Sequence, residues 1–227
     1  MRTPVLVLSL LLSVCGLAAD SVLAPFVQRE ELAGAVALVA NKAKVLDVTT
    51  VGFADIEGKK PMQADTVFWI ASQSKGITAA AVMMLVDEGK LSLDDPVEKY
   101  LPEFKDQKVA AGKEAPVARA RSITIRDLLS HVSGLPFKSE EEKPTLDALP
   151  LAAAVKTYAK APLVTQPGAK YQYSNAGINT AARVLEVVSG QSYEDFMDKR
   201  LFGPLGMKDT TFWPNAEQVS RLAKTYK

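Results

Sequence analysis

The sequence contains one cysteine, one histidine and no surplus of either charge. The lone cysteine, Cys15, can form no disulfide within the chain and no cysteine-based metal site. No histidine-rich or paired-carboxylate cluster indicates a metal, so we expect neither a metal nor another cofactor. Lysine and arginine total 27 against 26 acidic residues, which leaves no net basic field to attract nucleic acid or an anionic membrane. Small neutral or mixed ligands are therefore the expected partners.

The sequence also has no apolar run long enough to span a bilayer as a helix. Residues 5–14 (VLVLSLLLSV) follow a positively charged Arg2 and precede small residues that end at Ala18. This pattern predicts a secretory signal peptide over residues 1–18, and hence a secreted or periplasmic protein. Residues 12–15 (LSVC) loosely resemble a bacterial lipobox, but Val14 stands where a small residue is usual. We therefore prefer simple export to a lipid anchor on Cys15.

The composition of the 227 residues, with 48% hydrophobic and 23% charged, is that of an ordinary globular protein. Residues 34–40 (GAVALVA) and 44–51 (KVLDVTTV) favour strands, and three residues separate them, which predicts an antiparallel hairpin. Because the first run is almost wholly apolar, we expect it inside a sheet that is covered on both faces.

Two helical patterns follow the predicted hairpin. The residues after Ser72 are apolar nearly all round, which predicts a buried helix that ends at Gly89. Residues 178–188 place their apolar side chains on one helix face and precede Gly190. Ser192 then predicts the N-terminal cap of a further helix.

The segment WIASQSKGITAA, residues 69–80, carries the first candidate chemistry. A serine hydroxyl needs a base within hydrogen-bonding reach, and helical spacing places Lys75 on the same face as Ser72. Burial at the start of a helix disfavours the ammonium form, which would let Lys75 accept a proton. Tyr173 and Asn175 precede the second helix, where a rigid scaffold can direct side chains into a cleft. The tyrosine and the lysine could share a proton relay while the asparagine orients lysine and substrate.

A series of motifs in a fixed order accompanies these residues. They are Gly52-x-Ala54-Asp55, Asp65-Thr66-x-Phe68, Ser72-x-x-Lys75, Leu91-x-Leu93-Asp94-Asp95-Pro96, Leu128-Leu129-Ser130-His131-x-Ser133-Gly134-Leu135-Pro136, Tyr173-Ser174-Asn175 and Pro204-Leu205-Gly206-Met207. With them the chain resembles the serine β-lactamase and penicillin-binding-protein superfamily, in its class C β-lactamase-like branch. That branch includes D-alanyl-D-alanine carboxypeptidases, D-amino-acid peptidases and esterases.

The resemblance implies an α/β (α+β) fold, with an antiparallel sheet flanked by helices plus a helical lobe, in one domain over residues 19–227. It makes Ser72 the nucleophile of an acyl-enzyme and Lys75 its base. Tyr173 would carry the proton to the leaving group, and Asn175 would hold Lys75 and bind substrate. The backbone N–H of Ser72 would serve as one oxyanion donor. Whether Lys75 or Tyr173 is the general base stays open, because the two can titrate as a coupled pair.

The implied activity is that of a secreted serine hydrolase acting on small-molecule or peptide substrates: esters, β-lactams or D-amino-acid peptides. The alternatives are a D-alanyl-D-alanine carboxypeptidase or penicillin-binding protein, and a non-catalytic scaffold that keeps the fold. Family members carry a third motif, Lys-Thr-Gly or His-x-Gly, further along the chain. Here only Lys224-Thr225-Tyr226 is similar, and we interpret it as accidental. We therefore expect the C-terminal part of the domain to be missing, in a fragment, a truncated gene model or an inactive relative. The sequence does not indicate the oligomeric state.

Other conspicuous residues receive a structural interpretation. His131 suggests a Ser-His-Asp triad, but the chain has no G-x-S-x-G nucleophile elbow, so we expect it to be a packing residue. Trp69 and Trp213 are expected in the core or in a cleft wall. The charge run SEEEKP, residues 139–144, predicts a solvated loop.

Overall fold

The computed structural model describes residues 18–146 and 148–226, so the predicted signal peptide lies outside the described residues except for Ala18. The described residues fall into two compact units, one within Met1–Trp69 and Trp213–Lys227 and the other within Ile70–Phe212. Over the described ranges, no helix has the length and apolar character needed to cross a membrane.

Helices and antiparallel strands make up the structure, as the predicted α/β fold requires. In chain order the helices are α1 (Ala18–Gln28), α2 (Ser74–Asp87), α3 (Ile125–Leu129), α4 (Leu151–Lys160), α5 (Asn175–Ser189), α6 (Tyr193–Met197) and α7 (Ala216–Ser220). The strands are β1 (Gly34–Ala40), β2 (Val45–Asp55), β3 (Lys60–Pro61), β4 (Lys108–Ala111) and β5 (Glu114–Ala118). Short 3-10 turns cover Ala71–Gln73, Val97–Lys99 and Pro102–Phe104.

The first unit contains the predicted hairpin. Strands β1 and β2 pair antiparallel from Gly34 opposite Gly52 to Ala40 opposite Val45, and β3 joins the far side of β2. The hairpin is confirmed, but the expectation that β1 is covered on both faces is wrong for the described residues. Among them β1 is the edge strand of the sheet, paired with β2 alone, and its last three residues are exposed.

The end of the described chain is bound to the same sheet. Lys224 forms an ion pair with Asp55 at 2.9 Å, and its backbone N–H donates to the carbonyl of Ala54 at 2.8 Å. The hydroxyl of Tyr226 accepts from the N–H of Ile56 at 2.7 Å. These contacts give Lys224 and Tyr226 structural roles in the first unit.

The second unit is built around α5. Its N-terminal cap is the hydroxyl of Ser174, and Gly190 ends it in the left-handed conformation that glycine adopts without strain. Helices α2, α3, α4 and α6 pack against α5. The large side chains buried between these elements are Leu85, Phe104, Ile123, Leu128, Tyr158, Leu185 and Phe196. The predicted helix over residues 178–188 and its terminating glycine are confirmed.

Helix α2 is less buried than its composition predicts. Its buried side chains are Thr78, Ala81, Val82 and Leu85, whereas Ala80 on another side is exposed. Of the two positions expected for the tryptophans, the core is wrong, because Trp69 and Trp213 are 79% and 73% exposed; the place in a cleft wall stays a prediction. Apolar composition therefore overestimated burial at these positions.

The predicted solvated loop at residues 139–144 is wrong at two residues, because Ser139 and Glu142 are both buried. Glu142 is completely buried, and its carboxylate accepts hydrogen bonds from the hydroxyl of Tyr158 at 2.6 Å and the N–H of Ser139 at 2.8 Å. A buried carboxylate is tolerated when donors satisfy it, as they do here. Glu140, two residues earlier, is exposed as predicted.

Candidate active site

Ser72 and Lys75 meet at the junction between the 3-10 turn Ala71–Gln73 and α2. The side-chain nitrogen Nζ of Lys75 lies 3.1 Å from Oγ of Ser72, which is hydrogen-bonding distance. Ala71 has φ of 44°, a left-handed conformation that a side-chain-bearing residue adopts infrequently. The hydroxyl of Ser74 donates to the carbonyl of Ala71 at 2.7 Å and holds this turn. The serine is exposed, so its oxygen is accessible to a ligand.

Tyr173 completes a three-residue cluster with this pair. The Nζ atom of Lys75 lies 5.0 Å from the centre of the Tyr173 ring. Hydrogen bonding with Ser72, and secondly with Lys75, lowers the pKa of the Tyr173 phenol below its usual value. Tyr173 is 38% exposed, which leaves the ring accessible beside the serine. The structure thus brings together the three residues that the sequence singled out as catalytic candidates.

Asn175, the fourth candidate, is the first residue of α5. Its backbone N–H donates to the carbonyl of Phe137 at 3.0 Å. Its side-chain oxygen Oδ1 is buried and has no hydrogen-bond partner among the described residues. The expected hydrogen bond between the side chain of Asn175 and Lys75 is therefore absent from this arrangement. An unpaired buried amide oxygen is uncommon and leaves an acceptor unused at the site.

The segment that precedes α4 forms the support for the Tyr173 turn. Ser174 donates its hydroxyl proton to the carbonyl of Pro136 at 2.6 Å, while its oxygen accepts from the N–H of Gly177 at 2.9 Å. The carbonyl of Phe137 accepts from the N–H groups of both Asn175 and Ala176. Ser174, the central residue of Tyr173-Ser174-Asn175, therefore caps α5 and holds the Tyr173 turn against the segment that precedes α4.

Gly134 is required in the segment that supports the Tyr173 turn. Gly134 has φ of 80°, and a Cβ atom there would lie 2.2 Å from the carbonyl oxygen of Thr165. Both the conformation and the space exclude other residues. From the sequence we expected only a packing residue, His131, in this segment. The direct contact with the Tyr173 turn was not predicted, because a single sequence does not report pairing between residues so far apart.

His131 lies against the cluster and has more contacts than simple packing requires. Its Nδ1 atom accepts a hydrogen bond from the backbone N–H of Ser174 at 3.2 Å. Its ring centre is 4.7 Å from that of Tyr173 and 5.9 Å from that of Tyr171. Burial lowers the pKa of His131, and the positive charge of Lys75 lowers it further. In the sequence, the indication of this role was limited to a single histidine shortly before Gly134 and Pro136.

The site is composed of hydroxyl, amine, amide and imidazole groups. In the part of the chain that the structure describes, no group of three or more His, Cys, Asp or Glu side chains is placed to hold a metal ion. A serine in contact with an amine and a phenol of lowered pKa has the composition of a nucleophile with its proton acceptors. Groups of this kind are suited to acyl transfer.

Comparison with known proteins identifies relatives of this chain. Esterase EstB of Burkholderia gladioli is 36% identical over 205 residues, which make up 85% of this chain and 50% of the esterase. D-alanyl-D-alanine-carboxypeptidase/endopeptidase AmpH of Escherichia coli (strain K12) is 32% identical over 163 residues, or 70% of this chain and 40% of that protein. The solved structure of EstCE1, a hydrolase with promiscuous acyltransferase activity, matches with a TM-score of 0.75 at 32% identity. That match covers 91% of this chain and 55% of EstCE1.

These relatives are longer than the present sequence. The chain spans about half the length of EstB and of EstCE1. Within that span a family model described as Beta-lactamase matches residues 19–227. The match covers nearly the whole sequence and includes all four candidate residues, so the chain belongs to the Beta-lactamase family.

Proposed function

We propose that the protein is a secreted serine hydrolase that acts through an acyl-enzyme on Ser72, with esters as its first substrate class. One observation carries this proposal, namely the 3.1 Å separation between Nζ of Lys75 and Oγ of Ser72. A neutral lysine at that distance can take the hydroxyl proton as the serine oxygen attacks. The accessible serine, next to a partly buried lysine, supports this assignment.

The proposed reaction has two stages. In the first, Oγ of Ser72 bonds to the acyl carbon while its proton passes to Lys75 or Tyr173. The bond to the leaving alcohol then breaks, and the alcohol oxygen takes a proton from the same pair. In the second, water loses a proton to this pair and its oxygen bonds to the acyl carbon. The bond between the acyl carbon and Oγ of Ser72 then breaks, Oγ takes a proton from the same pair, and the acid leaves. The backbone N–H of Ser72 is the proposed donor to the developing oxyanion.

Two further features support roles for Tyr173 and Asn175. The lowered pKa of Tyr173 brings its phenol closer to the range in which it can exchange protons during turnover. The unpaired Oδ1 of Asn175 is buried in this arrangement, so the proposed role requires its side chain to turn toward a substrate N–H or Lys75 when a substrate binds. Asn175 is thus proposed as a substrate-binding residue.

The ester class is placed first because EstB is an esterase and EstCE1 is a hydrolase with acyltransferase activity. The alternative is a D-alanyl-D-alanine carboxypeptidase or penicillin-binding protein, which the relationship to AmpH favours. β-Lactams would acylate the same serine in either case. A scaffold without turnover is the third possibility, and it predicts no covalent adduct at all.

Intact-protein mass spectrometry tests the proposal directly. The purified chain is incubated in parallel with a fluorophosphonate and with a penicillin, together with Ser72→Ala and Ser130→Ala. Ser130 is the matched control, because it is exposed and lies next to the only histidine. We expect an increase of one probe mass that Ser72→Ala abolishes and Ser130→Ala retains. Folded protein without an adduct from either probe would reject acyl-enzyme chemistry for this chain.

The choice of substrate needs a separate assay. Hydrolysis of a p-nitrophenyl ester, of a chromogenic cephalosporin and of a D-alanyl-D-alanine peptide is compared at equal enzyme concentration. Preference for the ester supports the first substrate class, whereas release of D-alanine as the fastest reaction supports the carboxypeptidase.

Export rests on the first 18 residues and is part of the proposal. Expression of the full chain in a bacterium, followed by fractionation and mass determination, should give a protein that begins after Ala18 in the medium or periplasm. A lipid-modified Cys15 in the membrane fraction would instead establish anchoring. A full-length chain in the cytoplasm would contradict both.

A further inference from the structure

His131 connects the candidate site to the turn that carries Tyr173. The Nδ1 atom of His131 accepts a hydrogen bond from the backbone N–H of Ser174, the residue next to the tyrosine, at 3.2 Å. The imidazole of His131 also faces the Tyr173 ring with 4.7 Å between the ring centres and 40° between the planes. The same side chain therefore restrains both the backbone and the ring of the Tyr173 turn.

The backbone of His131 adds a third link and a special conformation. Its carbonyl accepts the N–H of Gln172, the residue on the other side of Tyr173, at 2.7 Å. Its φ is 58°, in the left-handed region, which non-glycine residues adopt infrequently and in which Asn and His are enriched. Backbone strain of this kind persists where the surrounding contacts over-determine it, and it concentrates at functional sites. The residues that flank Tyr173 are thus both hydrogen-bonded to one histidine.

The bond to Ser174 requires a particular form of the imidazole. A nitrogen that accepts a hydrogen bond carries no proton, so the neutral ring must hold its proton on Nε2. Protonation at Nδ1 would place a donor against the N–H of Ser174 and break the bond. Partial burial and the charge of Lys75 both favour the neutral form, while the two other rings against His131, Tyr171 and Tyr173, are phenols.

We propose that His131 is a positioning residue, whose neutral imidazole holds the hydroxyl of Tyr173 toward Ser72 and Lys75. The histidine itself transfers no proton and contacts no reacting atom. It acts through Tyr173, and its effect on turnover rests on the proposed acyl-enzyme function. Loss of the Nδ1 acceptor frees the tyrosine turn and weakens the hydrogen bonding of its hydroxyl with the other two residues.

Two variants test the Nδ1 acceptor of His131 and its left-handed backbone conformation independently. His131→Asn keeps an acceptor, Oδ1, close to the position of Nδ1, and asparagine tolerates the left-handed conformation. His131→Gly adopts that conformation without strain but has no acceptor. We expect similar thermal stability for both variants. For ester hydrolysis, we expect His131→Asn to stay within about threefold of wild type and His131→Gly to lose about 100-fold in kcat with little change in KM. Equal activity in the two variants would reduce His131 to a packing residue.

Two measurements test the proposal even if the chain proves to have no hydrolase activity. Because the sequence has a single histidine, NMR of protein labelled with 15N-histidine reports His131 alone. We expect an unprotonated Nδ1 at neutral pH, and a protonated Nδ1 would overturn the proposal. In a spectrophotometric titration, the pKa of Tyr173 should rise in His131→Gly and stay unchanged in His131→Asn. An unchanged pKa in both variants would show that the histidine does not position the hydroxyl.

With an active chain, the pH profile adds a third test. The acid side of the kcat profile should contain a component whose midpoint equals the NMR titration midpoint of His131. That component should be absent in His131→Asn, whose side chain does not titrate. Its persistence in His131→Asn would assign it to another group and contradict the requirement for a neutral imidazole.

Discussion

Lys75 places its Nζ atom 3.1 Å from Oγ of Ser72, although the two residues belong to different helical segments. Ser72 lies in the 3-10 turn Ala71–Gln73, and Lys75 lies in the first turn of α2. The left-handed Ala71 directly before the serine starts the turn sharply. The contact therefore depends on the exact bend of this junction as well as on the three-residue spacing.

Lys75→Ala and Lys75→Arg should both abolish rapid acylation of Ser72. Alanine removes the base, and arginine cannot act as one because its guanidinium stays protonated. General base catalysis contributes about 10²- to 10⁴-fold, so we expect the labelling rate with the fluorophosphonate to fall by at least about 100-fold. Lys156→Ala, on the exposed side of α4, is the control and should react at the wild-type rate. Wild-type labelling of Lys75→Ala would assign the base to Tyr173 alone.

Local patterns predicted the fold elements of this chain well. The hairpin of β1 and β2, the helix after Ser72 and the helix ending at Gly190 all follow from periodicity and turn residues. The proximity of Ser72 to Lys75 was also predictable, because three residues along a helical path define a distance. These features depend on interactions within one or two turns of chain.

Long-range contacts were beyond the sequence patterns. Glu142 was expected in solvent because it belongs to a charge run, yet its partner Tyr158 is 16 residues away and makes its burial possible. His131 similarly meets Ser174 from 43 residues away. Each of these polar groups is stable only with its distant partner, and a single sequence does not specify that partner.

The ionisation of Tyr173 gives a pH prediction. Hydrogen bonding with Ser72, and secondly with Lys75, lowers its pKa, so its phenolate forms at lower pH than that of an ordinary tyrosine. Burial raises the pKa of Tyr158 and of Tyr193, which ionise later. In a near-ultraviolet titration of the folded protein, Tyr173→Phe should remove the earliest phenolate signal, whereas Tyr193→Phe should remove a late one.

Ser72→Ala extends this test of Tyr173. Removal of the serine hydroxyl should raise the pKa of Tyr173, because the largest cause of its lowering is lost. The titration is read on folded protein, with circular dichroism recorded at each pH. An early phenolate signal that survives in Tyr173→Phe would show that another tyrosine is the acidic one.

Ser174→Ala should destabilise the protein more than Ser192→Ala does, although both serines cap helices. Ser192 is exposed and accepts from the N–H of Asp195 at the start of α6, so its loss should cost about 1 kcal/mol. Ser174 is buried and also donates to the carbonyl of Pro136, so its loss should cost about 2 kcal/mol. Urea denaturation of the two variants measures the difference, and equal costs would mean that the Pro136 contact adds no stability.

The buried carboxylate of Glu142 provides the last test, with its exposed neighbour as a control. Glu142→Ala leaves the N–H of Ser139 without its acceptor and removes the acceptor of Tyr158, so the free energy of unfolding should fall by about 3 kcal/mol. Glu142→Gln keeps one acceptor oxygen and should lose about half as much. Glu140 is 91% exposed and forms an ion pair with Lys143 at the surface, so Glu140→Ala should change stability by less than about 0.5 kcal/mol. If Glu140→Ala and Glu142→Ala were equally mild in urea denaturation, the loop at residues 139–144 would be solvated in solution, as its charge run first suggested.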